Sequence, residues 1–125
     1  AVDFCGTASG GTVDKFSRTN LTPIPALKVR PPLIEECPIN LECVVRQCLP
    51  LGSHDLFLAE VVAVHADAGV VEDGMIILGR VAPMVFDPFG GDYWSLKEVV
   101  AHHGFSEGTM PDRPRAKVTQ QHKKV

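Results

Sequence analysis

Two apolar strands joined by a short glycine turn constrain this chain more than anything else in it. Residues 40–49 alternate, with Leu41, Cys43, Val45 and Leu49 on one face and Glu42, Val44, Arg46 and Cys48 on the other. That period of two predicts a strand with a single core face, interrupted only by Gln47. Pro50 to His54 turns the chain. Residues 56–65 are apolar on both faces except at Glu60, which predicts a central strand. Together they read as an antiparallel hairpin of about ten residues an arm, close to the upper end of ordinary strand lengths. His54 stands on its rim, where a histidine reaches a ligand without being buried.

The remaining elements are shorter. Residues 1–20 predict the end of one helix, a break at Ser9-Gly10-Gly11, and a short helix over Val13–Arg18 capped by Thr12 and stopped by Asn20. Residues 21–38 hold five prolines, which favour extended chain. Ile24, Leu27, Val29, Leu33 and Ile34 argue that this stretch is packed down, since a free linker is poor in aliphatics. Met75 to Leu78 fits a short strand or a helix start. Arg80 to Phe86 predicts a strand containing Pro83, hence an edge or a bulge. A glycine turn flanked by aromatics follows, with Trp94 expected in the core. Ser95 to Glu98 matches a capping box, and Leu96, Val99, Val100 and His103 share a helical face that Gly104 ends.

About three strands with apolar faces do not close a barrel, and a lone hairpin is marginal in water. The expectation is therefore a chain incomplete alone. Further N-terminal strands, a partner protomer, or both would cover its apolar faces. The opening Ala-Val-Asp-Phe-Cys-Gly, without an initiating Met, points the same way.

Composition narrows the function classes. At 125 residues the chain reads as one domain at most. No apolar run approaches the roughly 20 residues of a membrane span, and no basic-then-apolar leader opens it. Residues 112–125 hold five Lys/Arg and one Asp, whereas residues 1–111 hold seven Lys/Arg and fourteen Asp/Glu. An acidic body offers no track for nucleic-acid phosphates. The basic end, residues 107–125, reads as a mobile tail, since no aromatic accompanies its charge. Cys5, Cys37, Cys43 and Cys48 lack the paired spacing of a zinc site, and reduced thiols in a cytoplasmic protein are the expectation. His102 and His103 are neighbours on the expected helix and point apart, so they do not clamp a metal.

Three segments, in order and spacing, resemble the flavin-reductase-like family of FMN-binding split barrels, in particular its flavoredoxin-type branch. The first is Asp3-Phe4-Cys5-Gly6-Thr7-Ala8-Ser9-Gly10-Gly11-Thr12-Val13-Asp14-Lys15-Phe16. The second runs from Ala26 to Val61, with Pro32-Leu33-Ile34-Glu35-Glu36-Cys37-Pro38-Ile39-Asn40-Leu41-Glu42-Cys43 and Gly52-Ser53-His54-Asp55-Leu56-Phe57. The third is Phe89-Gly90-Gly91-Asp92-Tyr93-Trp94-Ser95-Leu96. The resemblance covers residues 1–106, taken as the C-terminal part of such a domain.

It implies a mainly β fold with peripheral helices, an antiparallel split β-barrel incomplete at its N-terminus. It further implies a homodimer with FMN at the interface, taking electrons from NAD(P)H and delivering them to a redox partner or to free flavin. Lys15 borders the flavin in similar proteins, and Ser9 lies in the adjacent glycine loop. Phe89 and Tyr93, either side of Gly90-Gly91, are suited to covering an isoalloxazine plane. His54 matches a turn associated with the nicotinamide side, although Ser53 replaces the acid found there in related reductases. The flavin carries the chemistry, so no protein residue is assigned as a general acid or base. The alternatives are a flavoredoxin-type electron carrier and a fragment that binds no cofactor. With the family's N-terminal portion absent, the chain alone is expected to bind FMN weakly.

Overall fold

The computed structural model describes residues 1–96, 98–101, 103 and 105–108. The chain divides into two compact units, Ala1–His65 and Ala66–Val125.

The first unit opens with α1 (Val2–Thr7) and α2 (Lys15–Thr19), separated by the expected glycine break. The cap of α2 is Asp14 rather than Thr12. Its carboxylate accepts from the N–H groups of Phe16 and Ser17 at 3.1 and 3.3 Å and from the Ser17 hydroxyl at 2.5 Å. A carboxylate reaching three donors satisfies the free N–H groups of a first turn better than a hydroxyl two residues upstream can. Asn20 ends the helix in the left-handed region at φ 55°, as its side chain permits.

The proline-rich segment is packed down by its own contacts. Strands β1 (Pro23–Ile24) and β2 (Leu33–Ile34) pair antiparallel, Pro23 against Ile34 and Ile24 against Leu33. The Asn40 amide then ties β2 to the start of the next strand. Its Oδ1 accepts from the Ile34 N–H at 2.9 Å, and its Nδ2 donates to the carbonyls of Ile34 and Cys37. Strands β3 (Ile39–Pro50) and β4 (Asp55–Ala66) form the long ribbon, twelve residues each. Their four-residue connection joins only antiparallel neighbours. It closes with Leu51 N–H donating to the His54 carbonyl at 2.8 Å, and with Gly52 at φ 89°, a conformation glycine adopts freely.

Two expectations about this ribbon are corrected. β4 pairs with β3 alone among the described residues, so it is not central here. The covered face of β3 is also the other one. Leu41 and Val45 are exposed, whereas Glu42 is the most deeply buried side chain described, 1% exposed. Alternation assigned Glu42 to solvent because its face also carries Arg46. The structure instead wraps the proline-rich segment over it.

The second unit begins with a 3-10 turn, Ala68–Val70, then β5 (Val71–Glu72) paired antiparallel with β6 (Met75–Ile76). α3 (Leu78–Val81) follows, so Met75 to Leu78 is a strand that leads into a helix. The strand expected over Arg80–Phe86 is shorter and later. Arg80 and Val81 are helical, Ala82 turns left-handed at φ 49°, and β7 (Met84–Asp87) starts after Pro83. β7 pairs antiparallel with β8 (Asp92–Ser95). Trp94, expected in the core, lies on β8 opposite Val85 and is 62% exposed. No capping-box helix is seen among the described residues: Leu96 and residues 98–101 are irregular, and Lys97, His102 and Gly104 lie outside the described residues. A second 3-10 turn spans Phe105–Glu107. Of the expected tail, residues 109–125 also lie outside them.

The fold is thus mainly β with short helices, and the strands among the described residues form four two-stranded ladders. None closes into a barrel among the described residues. The buried apolar side chains described are Leu33 and Val70, so most aliphatic surface of the ribbon remains open.

Candidate functional site

Lys15 stands at the first position of α2, part-buried, and donates from Nζ to the carbonyl of Cys5 at 2.6 Å. This bond spans the glycine break and joins α2 to α1. An ammonium has three donors, so two remain for a ligand. The Ser9-Gly10-Gly11 loop lies against the same side chain. A Cβ added at Gly10 would meet Lys15 Cε at 3.8 Å, ordinary contact. Ser9 Oγ accepts from the Gly11 N–H at 3.3 Å. Structure therefore brings Ser9 and Lys15 together as one corner: an anchored cation beside an exposed glycine loop.

The other expected residues are placed separately. His54 is exposed on the β3–β4 turn, with its Nδ1 2.9 Å from the Ser53 hydroxyl. Ser53 thus holds the ring, the role open to it in place of an acid. In the second unit Phe89 sits at the tip of the β7–β8 turn and is 99% exposed. Its N–H donates to Asp87 Oδ1 at 2.9 Å, which fixes the backbone while leaving the ring free. Tyr93 on β8 faces Phe86 of β7, ring centroids 5.0 Å apart and tilted by 41°. Phe89 and Tyr93 share a hairpin, but the stacking partner of Tyr93 is Phe86.

Glu42 is the residue that sequence reasoning missed. Its Oε1 accepts from Leu27 N–H at 2.9 Å and lies 2.6 Å from His65 Nε2. Its Oε2 accepts from Lys28 and Val29 N–H at 2.5 and 3.0 Å. Burial alone would push this carboxyl up. The donors from Leu27, Lys28, His65 and Val29 outweigh it and hold the carboxyl down at about 2. The partners lie thirteen to fifteen residues before it and twenty-three after, so no local pattern announces the cluster.

For Asp14, the hydrogen bonds from Ser17 and Phe16 lower the carboxyl below its usual range. On the surface, Arg46 pairs with Glu60 across the ribbon, and Arg80 pairs with Glu72 at 2.7 Å. No group of three or more His, Cys, Asp or Glu able to hold a metal occurs among the described residues. No described helix is long and apolar enough to cross a membrane.

Antiparallel ladders and short helices define a mainly β protein. The chain matches the flavin reductase like domain over residues 1–88, and it belongs to that family. The flavoredoxin of Desulfovibrio vulgaris (Miyazaki F) superimposes with a TM-score of 0.75 at 30% identity, covering 86% of this chain and 57% of that one. The flavoredoxin from Methanosarcina acetivorans gives 0.73 at 25% identity, covering 84% and 57%. Nitrilotriacetate monooxygenase component B from Bacillus cereus gives 0.70 at 24% identity, covering 80% and 52%, a likeness of fold. An uncharacterized protein of Archaeoglobus fulgidus is 42% identical over 64 residues, 50% of this chain and 36% of that protein. The chain thus spans about a third to somewhat over half the length of the proteins it matches. The similarity falls on the flavoredoxin side of the family.

Proposed function

We propose that this chain is part of an FMN-binding split barrel that passes electrons from NAD(P)H through bound FMN to a redox partner or to free flavin. The carrying observation is the flavin reductase like match over residues 1–88, joined to the backbone likeness to a flavoredoxin over 86% of the chain. The donor set at the first corner fits the cofactor. Lys15 is anchored at one end, keeps two donors, and borders a loop whose glycines leave room for a phosphate or a flavin carbonyl. FMN, when bound, supplies the acceptance of hydride and the release of electrons.

The chain's own residues bind and orient. Lys15 and Ser9 hold the polar part of the cofactor by charge and hydrogen bonding. Phe89 and Tyr93 offer aromatic surface for an apolar ring plane. His54, steadied by Ser53, is assigned to the nicotinamide side. The wide apolar exposure on β3 and β4 supports a homodimer in which this surface is covered. Four free cysteines accord with the reducing, cytoplasmic setting proposed here.

A second reading has specific support. Two of the similar structures are flavoredoxins, which favours a carrier that holds FMN but reacts slowly with nicotinamide. An absorption spectrum of the purified protein with added FMN, followed by NADH and NADPH under anaerobic conditions, decides. Bound flavin rapidly bleached by either nucleotide establishes the reductase. Bound flavin bleached only by a chemical reductant establishes the carrier; in a longer protein that also carries the family's N-terminal portion, no bound flavin overturns both.

A further inference from the structure

The loop from Pro25 to Pro32 hangs on one carboxylate. Pro25, Pro31 and Pro32 have no N–H to give, which leaves five donors. Three of these, on Leu27, Lys28 and Val29, converge on Glu42. Among the described residues these are the loop's hydrogen bonds. The segments at either end are secured differently: β1 and β2 pair with each other, Glu35 N–H donates to the Thr22 carbonyl at 2.9 Å, and Asn40 holds Ile34. The loop therefore has fixed ends and a single central tie.

We propose that Glu42 is a latch for this loop, so that residues 25–32 open and close as a unit while β1, β2 and the β3–β4 ribbon stay folded. Three consecutive N–H groups around an anion form a concave cradle, and here the anion comes from the protein itself. His65 of β4 steadies the carboxylate from the other side and is itself mostly covered. His65 lies within hydrogen-bond distance of the Glu42 carboxylate, and the loop carries Lys28 and Arg30, whose side chains are exposed. Arg46, further along β3, is engaged by Glu60. Closing the latch sets where Lys28 and Arg30 stand, and opening it moves both cations together. Glu42 is thus a positioning residue for a two-cation loop.

Residue-resolved amide hydrogen exchange tests the latch. In Glu42→Gln the added NH2 faces N–H donors whichever way the amide is turned. Protection at Leu27, Lys28 and Val29 is expected to fall by at least about tenfold, the scale of a lost charge-assisted bond. Protection at Ile34 and Glu35 is expected to hold. Unchanged protection at 27–29, or equal loss at all five amides in a folded variant, overturns the latch. If Glu42→Gln does not fold, the wild-type chain decides. Stepped down in pH, it should lose protection at 27–29 together with the titration of the Glu42 carboxyl and ahead of Ile34 and Glu35. Simultaneous loss at all five overturns it.

Discussion

The Lys15 ammonium donates to the carbonyl of Cys5 at 2.6 Å, ten residues earlier, and so ties α2 to α1 across the glycine break. This bond orders the lysine before any ligand arrives, which lowers the entropy lost on binding. In a longer protein that also carries the family's N-terminal portion, Lys15→Ala is expected to weaken FMN binding by about 1–2 kcal/mol, the scale of a charge-assisted hydrogen bond. Fluorescence titration with FMN measures it. An affinity equal to wild type removes Lys15 from the site.

His54 should behave differently. It stands on the ribbon turn and touches Ser53, with no bond to the Lys15 corner. His54→Ala is expected to slow reduction of bound flavin by NAD(P)H while leaving FMN affinity near wild type. Stopped-flow reduction beside the titration separates the two residues. Loss of FMN as strong as in Lys15→Ala contradicts the assignment of His54 to the nicotinamide side.

Acid stability should report Glu42. Its carboxyl lies at about 2 when folded, against an ordinary 4.5. A folded value below the unfolded one gives stability that is complete above 4.5 and is lost as pH falls towards 2. The thermal midpoint should drop through that window, and Glu42→Gln should flatten the drop while lowering the midpoint at neutral pH. Asp14, also lowered, acts in the same direction. A Glu42→Gln profile parallel to wild type would falsify the assignment.

Ala82 occupies the left-handed region at φ 49°, ψ 56° with a Cβ that this conformation penalises. Ala82→Gly is expected to stabilise by about 0.5–1 kcal/mol, because the relief there exceeds the extra flexibility of glycine in the unfolded chain. Denaturant unfolding with unchanged slope checks it.

The open ribbon predicts association. Val45 and Phe57 are 57% and 59% exposed, more than a solvated strand face ordinarily leaves. Phe57→Glu should shift the sedimentation profile towards smaller species without loss of the far-UV spectrum. An unchanged distribution would show that this face takes no part.

Local chemistry alone determined the helix–glycine–helix opening, the left-handed stop at Asn20 and the long hairpin around Gly52. Each rests on caps, turn residues or alternation within a few positions, where the backbone has few other ways to satisfy its donors. Ser9 and Lys15 were singled out only by the resemblance to a family, and the structure brings them side by side. The tertiary structure decided the rest. Which face of β3 is covered depended on a loop thirteen to fifteen residues away finding one carboxylate. Residues 96–101 have a helical pattern, yet Val99 and Val100 are exposed, and an apolar stripe without a surface to pack on does not hold a short helix. Trp94 is open to solvent because, among the described residues, β8 pairs with β7 alone and no second layer covers its indole. Burial is set by what meets a face, and the residues that meet it are distant in the chain.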